Sequence, residues 1–118
     1  MAAFLYIEDI RGDATEADHQ GEIELSSVTF PSNRPGIGVS GNLRMQEIAV
    51  TKPQDSASTA LWTAATSGKI FSFMILDLVN NGSTARFTIK LVALASMNFQ
   101  KGMESFNLNF ETVSVEHL

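Results

Sequence analysis

Two long apolar segments joined by a short turn signal constrain the fold of this chain more than any other feature. The segments are KIFSFMILDLV (69–79) and TARFTIKLVALA (84–95), and the sequence NNGS (80–83) joins them. Asn81 and Gly82 both tolerate the positive φ angles that a two-residue hairpin loop requires. The sequence therefore predicts a long antiparallel β-hairpin.

Both strands of this hairpin carry apolar residues on both faces. Side chains alternate between the two faces of a strand, so Phe71, Phe73 and Ile75 are expected to share one face. The opposite face also needs cover, and one short helix covers only part of it. We therefore expect a neighbouring subunit to cover the rest, because an exposed apolar patch marks an interface. The residues expected at that subunit interface are Trp62, Met74, Leu76, Leu78, Val92 and Leu94.

Shorter strands are predicted before and after the hairpin. They are AFLYIE (3–8), EIELSSVTF (22–30), LRMQEIAV (43–50) and ESFNLNFETVSVEH (104–117), and SMNFQK (96–101) either continues the hairpin or forms its own strand. In several of them the apolar residues change parity, as near Ser26-Ser27, which indicates a bulge or bend. A loop rich in proline and glycine is predicted at 30–42. Strands that bend in this way are typical of a small barrel or an orthogonal sandwich.

One helix is predicted, at about residues 55–67. An apolar stripe with helical spacing supports it, and its members are Ala57, Ala60, Leu61, Ala64 and Ala65. Asp55 or Ser58 is placed to cap the start of the helix, and Gly68 is placed to end it. Trp62 lies off the stripe, so it either packs in the core or contacts another subunit. The predicted fold class is therefore mainly β with one short flanking α-helix.

Composition narrows the range of functions. A chain of 118 residues predicts a single domain over 1–118. Residues 1–30 hold seven acids and one arginine, and the basic residues elsewhere are scattered, so we expect no nucleic-acid binding. The chain has no cysteine, which excludes disulfides and thiolate sites and is typical of a reducing compartment. No apolar run reaches the ~20 residues of a membrane span, so we expect neither membrane insertion nor a Sec signal.

The segment DATEADHQGEIEL (13–25) raises the question of a metal or acid/base site. A metal site there would use His19 with Asp13, Glu16 and Asp18. The spacing does not match a calcium loop, and a zinc site would need a second histidine or another well-placed ligand. We therefore expect a surface loop in which Asp18 or a neighbour caps a turn and His19 packs against the next strand. No catalytic residue, metal or cofactor is predicted, and an enzyme is not expected.

Three parts of the sequence resemble one protein family. They are the segment VTKPQDSASTALWTAATSGK (50–69), the opening MAAFLYIEDIRGDATEADHQGEIEL (1–25) and the ending ESFNLNFETVSV (104–115). These resemble the strand, helix and helix exit, the first strand with its acidic Asp-His loop, and the last strand of the haemolysin-coregulated proteins. Those proteins are the tube subunits of the bacterial type VI secretion system. The chain departs from the family in a shorter loop at 30–42, in Thr59 where proline is frequent, and in lacking an aromatic pair near the end of its last strand.

The resemblance implies a small β-barrel of two packed antiparallel sheets that assembles into a homo-hexameric ring. Rings of this kind stack into a tube and carry effectors, so the implied partners are other copies, effectors, and the spike and sheath of the secretion machine. The implied location is the bacterial cytoplasm, with export through the type VI apparatus. A monomeric barrel that binds a small ligand and a phage-type tail tube protein are the alternative interpretations.

A tube subunit also needs a surface that faces the channel. Such a surface meets water and varied cargo, so its residues should be polar yet mostly uncharged. Three strand segments alternate uncharged polar residues with apolar ones and fit this requirement. The residues expected to face the lumen are Ser27, Thr29, Ser96, Asn98, Asn107 and Asn109.

Overall fold

Eight strands and one α-helix account for most of the described residues. A computed structural model describes residues 2–30 and 47–118, so most of the loop predicted at 30–42 and the first half of the strand predicted at 43–50 lie outside the described residues. The elements in chain order are β1 (Ala2–Ile7), a 3-10 turn (Ala17–His19), β2 (Ile23–Leu25), β3 (Ser27–Thr29), β4 (Glu47–Pro53), α1 (Ser58–Ser67), β5 (Ile70–Asn80), β6 (Ser83–Gln100), β7 (Met103–Asn109) and β8 (Thr112–His117). The prediction of a mainly β protein with one short helix is confirmed.

The strands form one antiparallel sheet whose two ends approach each other. The strand order is β2-β1-β5-β6-β7-β4-β3, and β8 adds to β6 beside this path. The end strands β2 and β3 are consecutive in the chain, and only Ser26 separates them. The Ser26 main-chain N–H donates to the carbonyl of Thr51, at 2.7 Å. At Ser26 the chain therefore stops pairing with β1 and begins to pair with β4. This agrees with the bend predicted near Ser26-Ser27.

The predicted hairpin forms between β5 and β6. Asn80 pairs with Ser83, and the two residues between them both have positive φ, 52° at Asn81 and 82° at Gly82. These angles are those of a tight turn that matches the twist of the flanking strands. β6 runs on to Gln100, so the segment at 96–101 continues the hairpin and does not form a separate strand.

β6 is long enough to belong to two parts of the sheet, and the side of the strand that faces the core changes at Leu91. It pairs with β8 up to Lys90 and with β7 from Ala93 onward. Leu91 has a φ of 55°, and Ile89 and Val92 on either side of it are both fully buried. A residue with positive φ interrupts the regular alternation of a strand, so odd positions face the core before Leu91 and even positions face it afterwards.

The core contains most of the residues that the sequence had placed at a subunit interface. Met74, Leu76, Val92 and Leu94 are buried within the single chain, so the prediction that a neighbour covers these four residues is wrong. The sheet curls with this face inward, and Leu61 of α1 joins the same core. The opposite face of β5 is less covered: Phe73 and Ile75 are only half-buried there, and Tyr6 of β1 stacks on Phe73 with ring centroids 6.3 Å apart.

The helix begins later than predicted and ends where predicted. Asp55 and Ser58 hold the turn before it: Asp55 Oδ1 accepts from the N–H of Ala57 at 2.9 Å, and the Asp55 N–H donates to Ser58 Oγ at 3.0 Å. Neither side chain caps the helix itself, whose N-cap is Ala57. Gly68 ends the helix with a φ of 71°, as predicted. The apolar stripe of the helix is narrower than predicted, because Ala60 is exposed. None of the described helices has the length and hydropathy of a membrane-spanning helix.

Candidate functional site

The strands β3, β4, β7 and the second half of β6 place uncharged polar residues side by side on the face away from the core. Directly paired residues of antiparallel strands point to the same side of a sheet. Ser27 pairs with Thr51, Thr51 with Ser105, and Ser105 with Asn98. These four residues form one row across four strands. We call the surface that contains this row the polar face.

A second row lies beside the first on the polar face. Thr29 pairs with Ala49, Ala49 with Asn107, and Asn107 with Ala95. Asn109 follows Asn107 on the same side and pairs with Glu47 and Ala93. The opposite sides of these strands carry core residues such as Ile48, Val50, Phe106 and Leu108. The polar face is therefore the outer wall of this part of the sheet.

The polar face brings together five of the six residues that the sequence assigned to a lumen. They are Ser27, Thr29, Asn98, Asn107 and Asn109, and all except the half-buried Asn107 are exposed. The sixth, Ser96, is also exposed but has a φ of 55° and sits in the bulge where the pairing of β6 with β7 shifts register. The structure therefore does not place Ser96 in either row.

Sequence reasoning missed Thr51 and Ala49 on β4, Ala95 on β6 and Ser105 on β7. Thr51, Ala49 and Ala95 are small residues that give no strong signal alone, although Thr51 and Ala49 alternate with the buried Ile48 and Val50. Their contribution is a surface of short side chains on which hydroxyl and amide groups can donate and accept hydrogen bonds. A shallow pocket of about 340 Å³ lies at one end of this face and is lined by Thr51, Asn98, Gln100, Lys101, Met103 and Ser105.

Charge on the polar face is sparse among the described residues. Glu47 stands at one end, where it accepts a hydrogen bond from Asn107 Nδ2 at 2.7 Å. Lys101 stands at the other end, in the turn between β6 and β7. The rows between them are neutral, so this face can hold water and make weak hydrogen bonds without selecting for charge.

The acidic loop between β1 and β2 folds against the outer face of the sheet. His19 is buried, and its ring stacks on Phe4 of β1 with centroids 4.1 Å apart and planes 6° apart. His19 Nδ1 lies 2.9 Å from Glu22 Oε1. The prediction that His19 packs against the next strand is wrong, because it packs against β1. The prediction that Asp18 or a neighbour caps the turn is also wrong, since no described side chain caps the 3-10 turn at Ala17–His19.

The structure gathers a different set of possible metal ligands from the one that the sequence suggested. His19, Glu22 and Asp77 offer ligand atoms within 4.8 Å of one another, and Asp13, Glu16 and Asp18 are not part of this group. The guanidinium of Arg86 binds both carboxylate oxygens of Asp77 at 2.8 Å, which raises the pKa of Arg86. A cation would have to compete with this arginine for Asp77. The group therefore joins the acidic loop to β5 and β6, which is a structural role.

Asp13 ties the same loop to the start of α1. Its two carboxylate oxygens accept from the hydroxyl of Ser56 at 2.6 Å and from the Ser56 N–H at 3.1 Å. These two hydrogen bonds lower the pKa of Asp13, because they favour its charged form. Asp13, one of the acids weighed as a metal ligand from the sequence, is therefore a tether between the loop and the residues before α1.

A buried ion cluster joins α1 to the sheet. Lys52 is fully buried, and its Nζ lies 2.8 Å from Glu104 Oε1, 2.8 Å from Asp55 Oδ1 and 2.9 Å from the carbonyl of Pro53. Ser58 Oγ donates to the same Glu104 oxygen at 2.9 Å. Sequence reasoning treated Lys52 as a scattered surface charge. Its parity with Ile48 and Val50, which puts it on the core side of β4, was the signal that could have found it.

The two remaining interface candidates are not in the centre of the core. Leu78 is half-buried at its margin, and Trp62 of α1 is half-buried beside a surface pocket. Several apolar side chains that sequence reasoning did not single out are more exposed. They are Tyr6, Ile70, Leu91, Phe99, Val115 and Leu118, with Ile70 the most exposed of them at 65%.

Comparison with known proteins identifies the family of this chain. The family model of the type VI secretion system effector Hcp matches residues 4–117. Among solved structures, Hcp2 from Salmonella typhimurium is 22% identical with a TM-score of 0.78, covering 100% of this chain and 93% of its own. Hcp1 from the same organism is 23% identical with a TM-score of 0.80, covering 99% and 87%. Hcp1 from E. coli EAEC 042 is 18% identical with a TM-score of 0.83, covering 99% and 97%.

No curated protein sequence matches the chain. At these identities the solved structures establish the fold, and the family model establishes the family because it spans nearly the whole chain. The resemblance seen in the strand, helix and loop segments is thereby confirmed. The chain belongs to the Hcp family of type VI secretion proteins.

Proposed function

We propose that this chain is a structural tube subunit that forms hexameric rings, and that the polar face lines their channel. The observation that carries the proposal is the pair of neutral rows across β3, β4, β7 and β6, which include Ser27, Thr29, Asn98 and Asn107. In this proposal the protein acts without catalysis. Its partners are other copies of itself, effectors in the lumen, and the spike and sheath of the secretion machine.

The chemistry of the polar face suits transport of varied cargo. An apolar channel wall would hold partly unfolded cargo by the hydrophobic effect, at roughly 25 cal/mol for each Å² that is buried. A strongly charged wall would hold cargo of the opposite charge and repel the rest. Hydroxyl and amide groups exchange hydrogen bonds with cargo for hydrogen bonds with water, so their net contribution is small. Cargo can therefore be held weakly and released.

Ring contacts require apolar surface, and the hairpin supplies it at two residues that were not first expected and at one, Leu78, that was. Ile70 is 65% exposed and pairs with Ala93, which borders the polar face, and Leu91 is 49% exposed. We propose Ile70 and Leu91 as contacts with a neighbouring subunit, together with the half-buried Leu78. Such a contact resists moderate salt, since apolar burial is not screened by ions.

The ring is tested by native mass spectrometry and negative-stain imaging of the purified chain. Replacing Ile70 with glutamate, together with Leu91→Glu, is expected to convert hexamers into smaller soluble species. Thr66→Glu on the exposed side of α1 is the matched control and is expected to leave the ring intact. A wild-type chain that remains monomeric across micromolar concentrations would overturn the proposal.

The lumen assignment can be tested with single cysteines, because the chain has no cysteine of its own. Asn98→Cys and Thr29→Cys place a thiol on the polar face, and Thr66→Cys places one on α1. A small maleimide is expected to label every subunit in all three variants. A bulky polymer maleimide should label every subunit at Thr66 but only part of each ring at Asn98 and Thr29, because the first polymer chains fill the channel. Complete polymer labelling at Asn98 and Thr29 in intact rings would contradict the lumen assignment but not the proposal that the chain forms rings.

A further inference from the structure

A pocket between α1 and the β6–β7 end of the sheet has no role in the proposed channel. Its volume is about 490 Å³, within the range of ligand-binding clefts. Trp62 of α1 and Phe99 of β6 contribute aromatic surface to it, and Phe99 is 48% exposed. Gln54, Ser58, Thr59, Thr63 and Glu104 complete the lining.

The pocket borders a buried cluster with an excess of negative charge. Lys52 supplies one positive charge, whereas Glu104 and Asp55 supply two negative charges, and all three groups are linked at 2.8 Å. Among the described residues, Glu104 accepts hydrogen bonds from Lys52 and Ser58 through the same oxygen, Oε1. The side chain of Glu104 is 2% exposed and still reaches the pocket lining. Water solvates this surplus negative charge poorly, so a cation in the pocket would stabilise it.

We propose that this pocket binds an arginine side chain presented by another protein. A guanidinium is planar, stacks on aromatic rings and is weakly hydrated, so it suits a site that combines Trp62 and Phe99 with a buried carboxylate better than an ammonium does. Its nitrogens can donate to Glu104 and to the oxygens of Gln54 or Thr63 at the rim. The pocket lies on the helix side of the molecule, so this contact is separate from the polar face and does not depend on the ring.

Trp62 is the only tryptophan in the chain, so its fluorescence reports on the pocket directly. The probe is the capped tripeptide Gly-Arg-Gly, compared with Gly-citrulline-Gly, which has the same shape without the charge, and with Gly-Leu-Gly. We expect a saturable change in Trp62 fluorescence with the arginine peptide at millimolar concentrations. Binding of the citrulline peptide should be about tenfold weaker, since a charge-assisted contact is lost. Equal binding of the citrulline or leucine peptide overturns the proposal.

A matched pair of lysine variants separates the pocket from general surface charge. Thr63 lines the pocket and is exposed, so Thr63→Lys is expected to fold and to place an ammonium where the guanidinium would bind. Thr66→Lys adds the same charge about one helical turn further along the same helix, at a residue that does not line the pocket. The arginine peptide should bind at least about tenfold more weakly to the Thr63→Lys variant and with unchanged affinity to the Thr66→Lys variant. Unchanged binding to the Thr63 variant, or no fluorescence change in the wild-type chain, overturns the proposal.

Discussion

Lys52 and Glu104 face each other across β4 and β7, with their charged groups 2.8 Å apart and both side chains almost wholly shielded from water. Lys52→Met removes the ammonium and leaves Glu104 without its counter-ion in the interior. We expect a loss of about 3–5 kcal/mol in the free energy of unfolding, because an uncompensated buried charge is costly. Urea denaturation followed by circular dichroism measures this loss.

Two variants make the Lys52 experiment specific. Lys69→Met removes a lysine from an exposed position, where the loss should be below about 1 kcal/mol. The double variant Lys52→Met with Glu104→Leu removes both buried charges and should recover much of the stability that the single variant loses. If the double variant is less stable than the single one, the other contacts of Glu104, such as the hydrogen bond from Ser58, matter more than its uncompensated charge.

Arg86 is expected to stabilise the fold through Asp77. Asp77 is 1% exposed, and the two hydrogen bonds from Arg86 are charge-assisted. Arg86→Met should lower the free energy of unfolding by about 2–3 kcal/mol, because among the described side chains the carboxylate then keeps only its 3.7 Å approach to His19. Arg86→Lys retains the charge but not both bonds, so its loss should be smaller. Equal stability of the methionine variant and the wild-type chain would contradict this role.

Leu76 tests whether the inner face of the hairpin belongs to the single chain or to a neighbour. It is fully buried in the core, so Leu76→Ala should cost about 2–5 kcal/mol of unfolding free energy. This loss should be the same at low and high protein concentrations, because no subunit contact is involved. Ile70→Ala, at an exposed position at the start of the same strand, should change the stability of the fold little. If Leu76→Ala lowers the free energy of unfolding only at concentrations where rings form, Leu76 belongs to a subunit contact and not to the core of the single chain.

The contact between Asp13 and Ser56 should respond to acid. Its hydrogen bonds hold the pKa of Asp13 below the ordinary value of 3.8, so folding favours the charged carboxylate. The tether is therefore complete above the ordinary pKa and is lost as the pH falls through the lowered one. Ser56→Ala should raise the Asp13 pKa towards its ordinary value, as measured by a carboxyl-carbon NMR titration. An unchanged pKa in that variant would show that Ser56 is not the cause of the shift.

Local signals account for what the sequence predicted correctly. The turn at Asn81-Gly82 and the helix end at Gly68 each depend on the conformational preferences of one or two residues. The bend at Ser26 was predicted from the change of parity among the apolar residues around it. The polar face was found in part for the same reason, since residues such as Thr29 and Asn107 alternate with apolar neighbours along a strand. Thr51 was missed because its place in a row depends on the pairing of β4 with two other strands.

The sequence by itself determined which residues share a face along the regular stretches of strand, because alternation is a property of the extended backbone. It did not show the change of face at Leu91, nor that Phe71 lies in the core while Phe73 and Ile75 do not. It could not determine which face of the hairpin is the inner one, since Phe73 and Met74 are both apolar. Only the tertiary structure decided this, by curling the sheet over Met74 and leaving Phe73 half-buried. The same holds for the two ion pairs between neighbouring strands. Lys52 with Glu104 and Arg86 with Asp77 meet only through strand register, so their energies depend on partners that no local pattern specifies.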